Sequence, residues 1–539
     1  MIRTKKFWIF SIVLLCMGGL VWFFIAGHSM PAYARYIPGD ATAVVTINTK
    51  RIATDILLGG ELKQDTALGP NKTFLKWKKA SEENGGLGIS MTSDILLFTC
   101  FGPAEKQLYG ALVIKLDDEQ TLLRFFRKEL PKLLDTAFFK PAALTETKTY
   151  KMVSVSTGPF ADDQIFMGFN QEVIVLLKAE SHGWTSDRAA KELDRIFNEP
   201  KENSIAAVEN FRKSERRPAD ITVWFNYNHR QFHHLMNQKK DTASRPGYVN
   251  AWLDFNKGAV DLTVFTIPSN ASRVPVFRKS HAENDFLKLI AADKFMGLLH
   301  ADIDFQNLLN NLNTIGNEKY VERMAGQWGL TSQDIASSFD GKVDLALNGF
   351  VHYKKKYIDY TYDADFNKIE IEKYRDERMP GFLLKLGMNG STALLSLFPK
   401  LSGNKRIAAC QNGYRLNSDI PVYFYPVGNN LYMSSSDKLP KDQAEQAVHN
   451  PEIQSLADNH SSSVFCDLKS LHEAMQKEFP SNDQQEKKVW DRFKSVSFTA
   501  DEVPGTRTEL GFSLKFSEAK TNALVQLINL FQEMQKHPF

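Results

Sequence analysis

The sequence predicts an α+β chain, with an N-terminal transmembrane helix followed by duplicated modules of antiparallel sheet with helices packed on one face. Three observations carry this reading. The run Phe7–Gly27, FWIFSIVLLCMGGLVWFFIAG, holds no charge and is almost wholly apolar. Short β-branched runs alternate with amphipathic ones. The same strand–helix pattern then returns several times along 539 residues.

The apolar run comes first. Spanning a hydrocarbon core takes ~20 apolar residues, and Phe7–Gly27 has that length. Arg3, Lys5 and Lys6 precede it and the next cation is Arg35. Basic flanks stay cytoplasmic. The expectation is therefore a single-pass protein of a bacterial inner membrane, N-terminus inside and the bulk periplasmic. The alternative is a cleaved secretory signal, because Ala32-Tyr33-Ala34 is an A-x-A pattern.

Beyond this head, length and composition describe a folded, neutral polypeptide. Residues 1–34 hold three cations and no acid, so the remainder balances 63 basic against 63 acidic side chains. That balance excludes an electrostatic nucleic-acid footprint. Clusters such as Lys76–Lys79, Arg212–Arg217 and Lys354–Lys356 read as solvated faces. Cys100, Cys410 and Cys466 form no C-x-x-C and no zinc pattern; they read as buried thiols, with a Cys410–Cys466 bridge as the alternative.

The elements follow in order. Ala41–Asn48 is β-branched and reads as a strand, and Thr49–Leu58 has helical spacing that stops at Gly59-Gly60. The pattern recurs where Ile221–Asn226 enters Asn228–Met236, where Gly297–Asp302 enters Asp304–Leu312, and where Ser463–Asp467 enters Ser470–Met475. Thr49, Asn228, Asp304 and Ser470 are the expected N-caps, and Asn48, Asn226, Asp302 and Asp467 read as turn chemistry. A second pattern runs from Gly110–Leu116, Gly381–Leu386 and Gly511–Phe516 into amphipathic helices. Strands at Ile95–Cys100, Val343–Leu347 and Val496–Thr499 stand upstream of these. Ile165–Phe169 with Val173–Leu177, and Val422–Pro426 with Leu431–Met433, read as matching hairpins. Tyr357–Arg378 alternates polar and apolar and reads as a hairpin with one wet face, turning near Asn367. The expected boundaries are a cytoplasmic tail 1–6, an anchor 7–27, a linker 28–40, a first module 41–290, a second 291–450, and a truncated C-terminal module 451–539 completing the second.

Tyr36-Ile-Pro-Gly-Asp-Ala-Thr-Ala-Val-Val45, Tyr362-Asp-Ala-Asp-Phe-Asn367 and the Gly-x-Leu-x-Lys-Leu strand before a helix resemble an uncharacterised family, of unknown function, of exported, membrane-anchored or lipid-modified envelope proteins from Bacteroidota. The resemblance implies an envelope location and an α+β repeat fold, and it carries no functional residues. In such bacteria Asp-Thr-Ala resembles an O-glycan acceptor; it occurs at Asp65-Thr66-Ala67, Asp135-Thr136-Ala137 and Asp241-Thr242-Ala243.

Candidate chemistry is sparse. His229 and His233 stand at i, i+4 on a helix, a spacing that binds zinc, but Arg230 occupies the place of a metalloprotease glutamate. Asp363, Asp365 and Asn367 mimic the start of a calcium loop, whereas Lys368 replaces the required glycine and Tyr374 the bidentate glutamate. His300, Asp302 and Asp304 alternate on one strand face and could form an acid–base cluster. There is no G-x-S-x-G, Walker A or G-x-G-x-x-G motif. The expectation is no catalytic, cofactor-binding or metal-binding residue, and a membrane-tethered periplasmic binding or scaffolding protein. Its partners would be the membrane through residues 7–27 and an envelope protein. Two alternatives stay open: a carrier or sensor of a lipid-like apolar ligand, which the 38 phenylalanines suggest, and an unrecognised hydrolase.

Overall fold

The structure, a computed structural model, describes residues 30–58, 86–101, 108–128, 144–156, 164–179, 185–227, 246–268, 275–279, 284–314, 318–327, 330–390, 407–410, 413–439, 448, 450–480, 484–503 and 507–536. These form two compact units. Unit 1 is Met1–Lys257 with Thr266–Ser269 and Thr521–Phe539, and unit 2 is Gly258–Phe265 with Asn270–Lys520.

In unit 1, β1 (Ala43–Ile47) lies between β2 (Ile95–Phe101) and β8 (Ile221–Asn226), each antiparallel to it. On one side the sheet continues through β3 (Leu108–Lys115), β7 (Val173–Ala179), β6 (Gln164–Phe169), β5 (Lys151–Ser156) and β4 (Thr145–Glu146). On the other it continues to β9 (Pro246–Asn256). Alternation buries one face: Val44, Phe98 and Ala111 stand opposite one another across three strands, all nearly inaccessible. The helix Ser186–Asn198 covers that face with Ala189, Leu193 and Ile196, and it starts where the Thr185 side chain accepts from the amide of Arg188. Gly168 permits the contact, because a Cβ there would meet Leu193 and Phe197 at 2.8 Å.

In unit 2, β11 (Phe295–Asp302) lies between β12 (Phe339–Tyr362) and β18 (Ser462–Asp467). One side continues through β13 (Lys368–Met388), β17 (Asn430–Ser434), β16 (Tyr423–Val427), β15 (Gly413–Leu416) and β14 (Ile407–Cys410). The other continues through β19 (Phe493–Val503), β20 (Arg507–Phe516) and β10 (Ala259–Pro268). The second order is the first with ten added to each strand number. Its core joins Phe295, Leu298, Ala346, Leu383 and Phe465 to Ile453 of the helix Pro451–Asn459.

These findings correct the expected fold class. The structure is mostly antiparallel sheet, with 47% strand against 31% helix, and each unit is built on a sheet whose strands pair antiparallel. Helical spacing was legible segment by segment, but long-range backbone pairing gathers the strands of each unit into a broad antiparallel sheet, where α+β modules with helices packed on one face were expected. The transmembrane part is corrected as well. Among the described residues no helix is long and apolar enough to cross a membrane. The longest of them, Ala523–Lys536, has 14 residues, or ~21 Å against the ~30 Å of a hydrocarbon core. Phe7–Gly27 lies outside the described residues, and the single-pass inner-membrane placement is withdrawn. Ala34, of the A-x-A pattern, is fully buried in the core of unit 1 beside Tyr33, whose hydroxyl donates to the carbonyl of Asp94.

Two caps sit slightly off the expected residues. Asn48, not Thr49, accepts from the amide of Arg51 at 3.0 Å. Asp467, not Ser470, caps Leu468–Glu478 by accepting from the Ser470 amide at 2.8 Å. Asp304 acts as expected, accepting from the Asn307 amide at 2.9 Å.

Candidate interaction arm

The two units differ most at one corresponding hairpin. In unit 1, β2 and β3 have 7 and 8 residues; in unit 2, β12 and β13 have 24 and 21. The inner parts of β12 and β13 pair with β11 up to Asn348 and with β17 from Leu383. From Phe350 opposite Pro380 to Tyr362 opposite Lys368, β12 and β13 pair with each other. Thirteen such pairs make an arm of about 40 Å at ~3.3 Å per residue.

The base of the arm is clamped. Phe350 packs edge-on against Phe479, the Arg378 guanidinium lies 4.6 Å from that ring, and His352 Nε2 sits 2.9 Å from Glu478. The amide of Lys356 donates to Asp419 at 3.1 Å. Beyond that point the register sets Ile358, Tyr360, Tyr362 and Tyr374 on one face, and Tyr357, Ile369 and Ile371 on the other. Both faces are exposed, which corrects the expected single wet face. Phe366 at the tip is 86% exposed and has φ of 63°, the left-handed region that costs energy for a bulky residue. Lys373 pairs with Asp359, Lys356 with Glu372, and Lys368 lies 3.3 Å from the Tyr360 ring. A two-stranded ribbon on its own is only marginally stable in water, so these cross-strand pairs hold an element that contributes little to the core.

The calcium-like residues form the turn of this arm. Asp363 Oδ1 accepts from the amides of Asp365 and Asn367 at 2.9 and 2.8 Å. That is an Asx-type turn, and among the described residues no group of three His, Cys, Asp or Glu could hold a metal. His229 and His233, and the three Asp-Thr-Ala sites, lie outside the described residues.

The hydrolase cluster does not assemble. His300 Nδ1 lies 2.6 Å from Asp344 of β12, Asp302 accepts from Arg278 Nε at 2.9 Å, and Asp304 caps its helix. Sequence reasoning missed Asp344 and Lys385. Cross-strand register brings His300, Asp344 and Lys385 side by side, at 1%, 5% and 2% exposure. In unit 1 the same three positions hold Thr46, Leu96 and Val113. The signal was a charge at an inward position of an apolar run, as in Val343-Asp344-Leu345. His300 Nε2 is buried without a partner. A second pair, His460 Nδ1 with Asp501 Oδ2 at 2.6 Å, leaves the Ser461 hydroxyl on the carboxylate at 3.2 Å and not on the imidazole. Neither pair supplies the base-activated nucleophile that acyl transfer needs.

The thiols are separate. Cys100, Cys410 and Cys466 are free, which rules out the Cys410–Cys466 bridge, and Cys410 is exposed. Burial pushes the Cys100 thiol up to about 12, so it stays protonated and inert.

Unit 1 carries an apolar groove on the opposite face from its core. It has a volume of about 310 Å³ and is lined by Val45, Leu97, Leu112, Ile165 and Leu176, with Lys178 at one end.

Architecture and arm together describe a duplicated antiparallel-sheet protein whose prominent surface element is a long exposed hairpin. The chain belongs to the family described as Domain of unknown function (DUF4836), whose model matches residues 33–455. No curated protein matches the chain. Two solved structures are similar in part. "Structure of crystal form III of TP0453" is 11% identical at a TM-score of 0.26, covering 46% of this chain and 83% of that one. "Structure of crystal form I of TP0453" is 10% identical at 0.24, covering 46% and 82%.

Proposed function

We propose that the chain is a non-catalytic binding or scaffolding protein whose partner-facing element is the β12–β13 arm. The observation that carries the reading is the extension of one hairpin in one of two matching units, from 7 and 8 residues to 24 and 21. Large apolar side chains exposed on both faces of such an element mark an interaction surface. Membership among exported envelope proteins of Bacteroidota rests on the resemblance at Tyr36–Val45, at Tyr362–Asn367 and at the Gly-x-Leu-x-Lys-Leu strand. A photo-crosslinking residue at Tyr360 of the full chain, compared with one at exposed Met91 of unit 1, tests the proposal. Discrete adducts from position 360 are expected; equal, diffuse labelling from both positions overturns it.

The unit 1 groove supports a second reading, carriage of an amphiphile with an acyl chain along Val45, Leu97 and Leu112 and an anionic head at Lys178. Native mass spectrometry of detergent-free protein should then show a bound lipid-sized mass that Leu112→Arg abolishes.

A further inference from the structure

We infer that the arm's partner is a second copy of this chain, laid antiparallel along the first arm so that the base of each meets the tip of the other. The inference rests on the reading of β12–β13 as an interaction element and names its occupant.

Charge distribution carries it. At the base, over 352–356 and 374–378, Lys354, Lys355, Lys356, Arg375 and Arg378 outnumber Asp376 and Glu377, a net charge of +3. Over the outer stretch 357–373, Asp359, Asp363, Asp365, Glu370 and Glu372 outnumber Lys368 and Lys373, a net charge of −3. The arm is neutral as a whole and polarised along its length. A parallel partner would set like charge against like, which is costly. An antiparallel copy sets +3 against −3 twice, by the self-complementarity a two-fold interface requires. The same rotation brings the face bearing Ile358, Tyr360, Tyr362 and Tyr374 against its own counterpart. Aromatic residues with an apolar body and a polar tip suit such a surface, wet in the monomer and covered in the dimer. An anionic membrane is disfavoured by the same distribution, because the tip that would enter it is acidic.

Sedimentation equilibrium of the full chain tests the pairing. The wild type is expected to dimerise, and to dissociate as ionic strength rises. Lys354→Glu with Lys355→Glu changes the base from +3 to −1, and Asp365→Lys with Glu370→Lys changes the outer stretch from −3 to +1. Each double variant alone should be monomeric, by at least a tenfold loss of association. An equimolar mixture should recover a mixed dimer, since −1 then meets +1 and −3 meets +3. Equal thermal midpoints for all three chains confirm that folding is intact, and if a double variant fails to fold, Lys354→Glu with Arg375→Glu and Glu370→Lys with Glu372→Lys make the same charge changes and repeat the mixture. A monomeric wild type, dimers that persist in both double variants, or a mixture that stays monomeric overturns the inference. Adducts from Tyr360 to other proteins on a monomeric chain would leave the proposed function standing and remove this partner.

Discussion

Glu215 offers a sharp test of how unit 1 is packed. It is 1% exposed, and Thr46 donates to its Oε1 at 3.0 Å while Oε2 has no partner. Burial disfavours its carboxylate, and the charge of Asp94 adds to the effect, raising it to about 7 from 4.5. The folded state therefore holds a proton that the unfolded state releases above about pH 4.5. Stability from this group is fully present below that pH, falls as pH rises, and is lost above about pH 7. Moving the carboxyl from 4.5 to about 7, at ~1.4 kcal/mol per pH unit, gives about 3–4 kcal/mol. Glu215→Gln is neutral at every pH and keeps an acceptor for Thr46. Its buried amide lacks an acceptor, at a cost of ~1–3 kcal/mol, so it should be the weaker protein at pH 4. Between pH 4 and pH 9 the wild type should lose ~1 M or more in urea midpoint relative to the variant, for m of ~1–3 kcal/mol/M. Trp224 and Trp252 of unit 1 report the transition, the latter donating to the carbonyl of Ser214 at 2.9 Å. Parallel pH profiles for the two proteins would refute the assignment.

Three further outcomes follow from the packing. Asp344→Ala should destabilise unit 2 by ~3–5 kcal/mol in denaturant unfolding, because it strips the buried His300 imidazole of its carboxylate partner. The triple change His300→Thr, Asp344→Leu, Lys385→Val copies unit 1 and should recover that loss. Leu193→Ala, at a fully buried position against Gly168, should lower stability by ~2–5 kcal/mol in the same measurement. Iodoacetamide at neutral pH should modify Cys410 and leave Cys100 unmodified until unfolding, as peptide mass mapping would read.

Short strands and their turn residues were legible because alternation and capping are local. Asn48 and Asp467 sit at strand-to-helix turns as their chemistry requires, and Asp363 turns the arm. Pairing between distant strands was not legible. No local signal says that Val113 meets Val175, or that Lys385 meets Asp344. The arm was seen in part. Tyr357–Arg378 reads as a hairpin, but Val343–Leu347 and Gly381–Leu386 read as separate strands, although each runs unbroken into it. Solvent on both faces could not be inferred either, since alternation there sets apolar against charged residues on each face and resembles a half-buried strand.

The arm is claimed to serve binding rather than folding, and shortening it tests that most directly. Lys354 and Asp376 stand opposite each other, so an Asn-Gly turn can join them. Thermal melting of this chain, with formaldehyde crosslinking in the cell that makes it, reads both properties from one variant. A midpoint within about 2 °C of the intact chain, for a change that leaves the core untouched, together with loss of the crosslinked adducts, is the expected result. An unfolded chain, or adducts unchanged by removal of the arm, would contradict it.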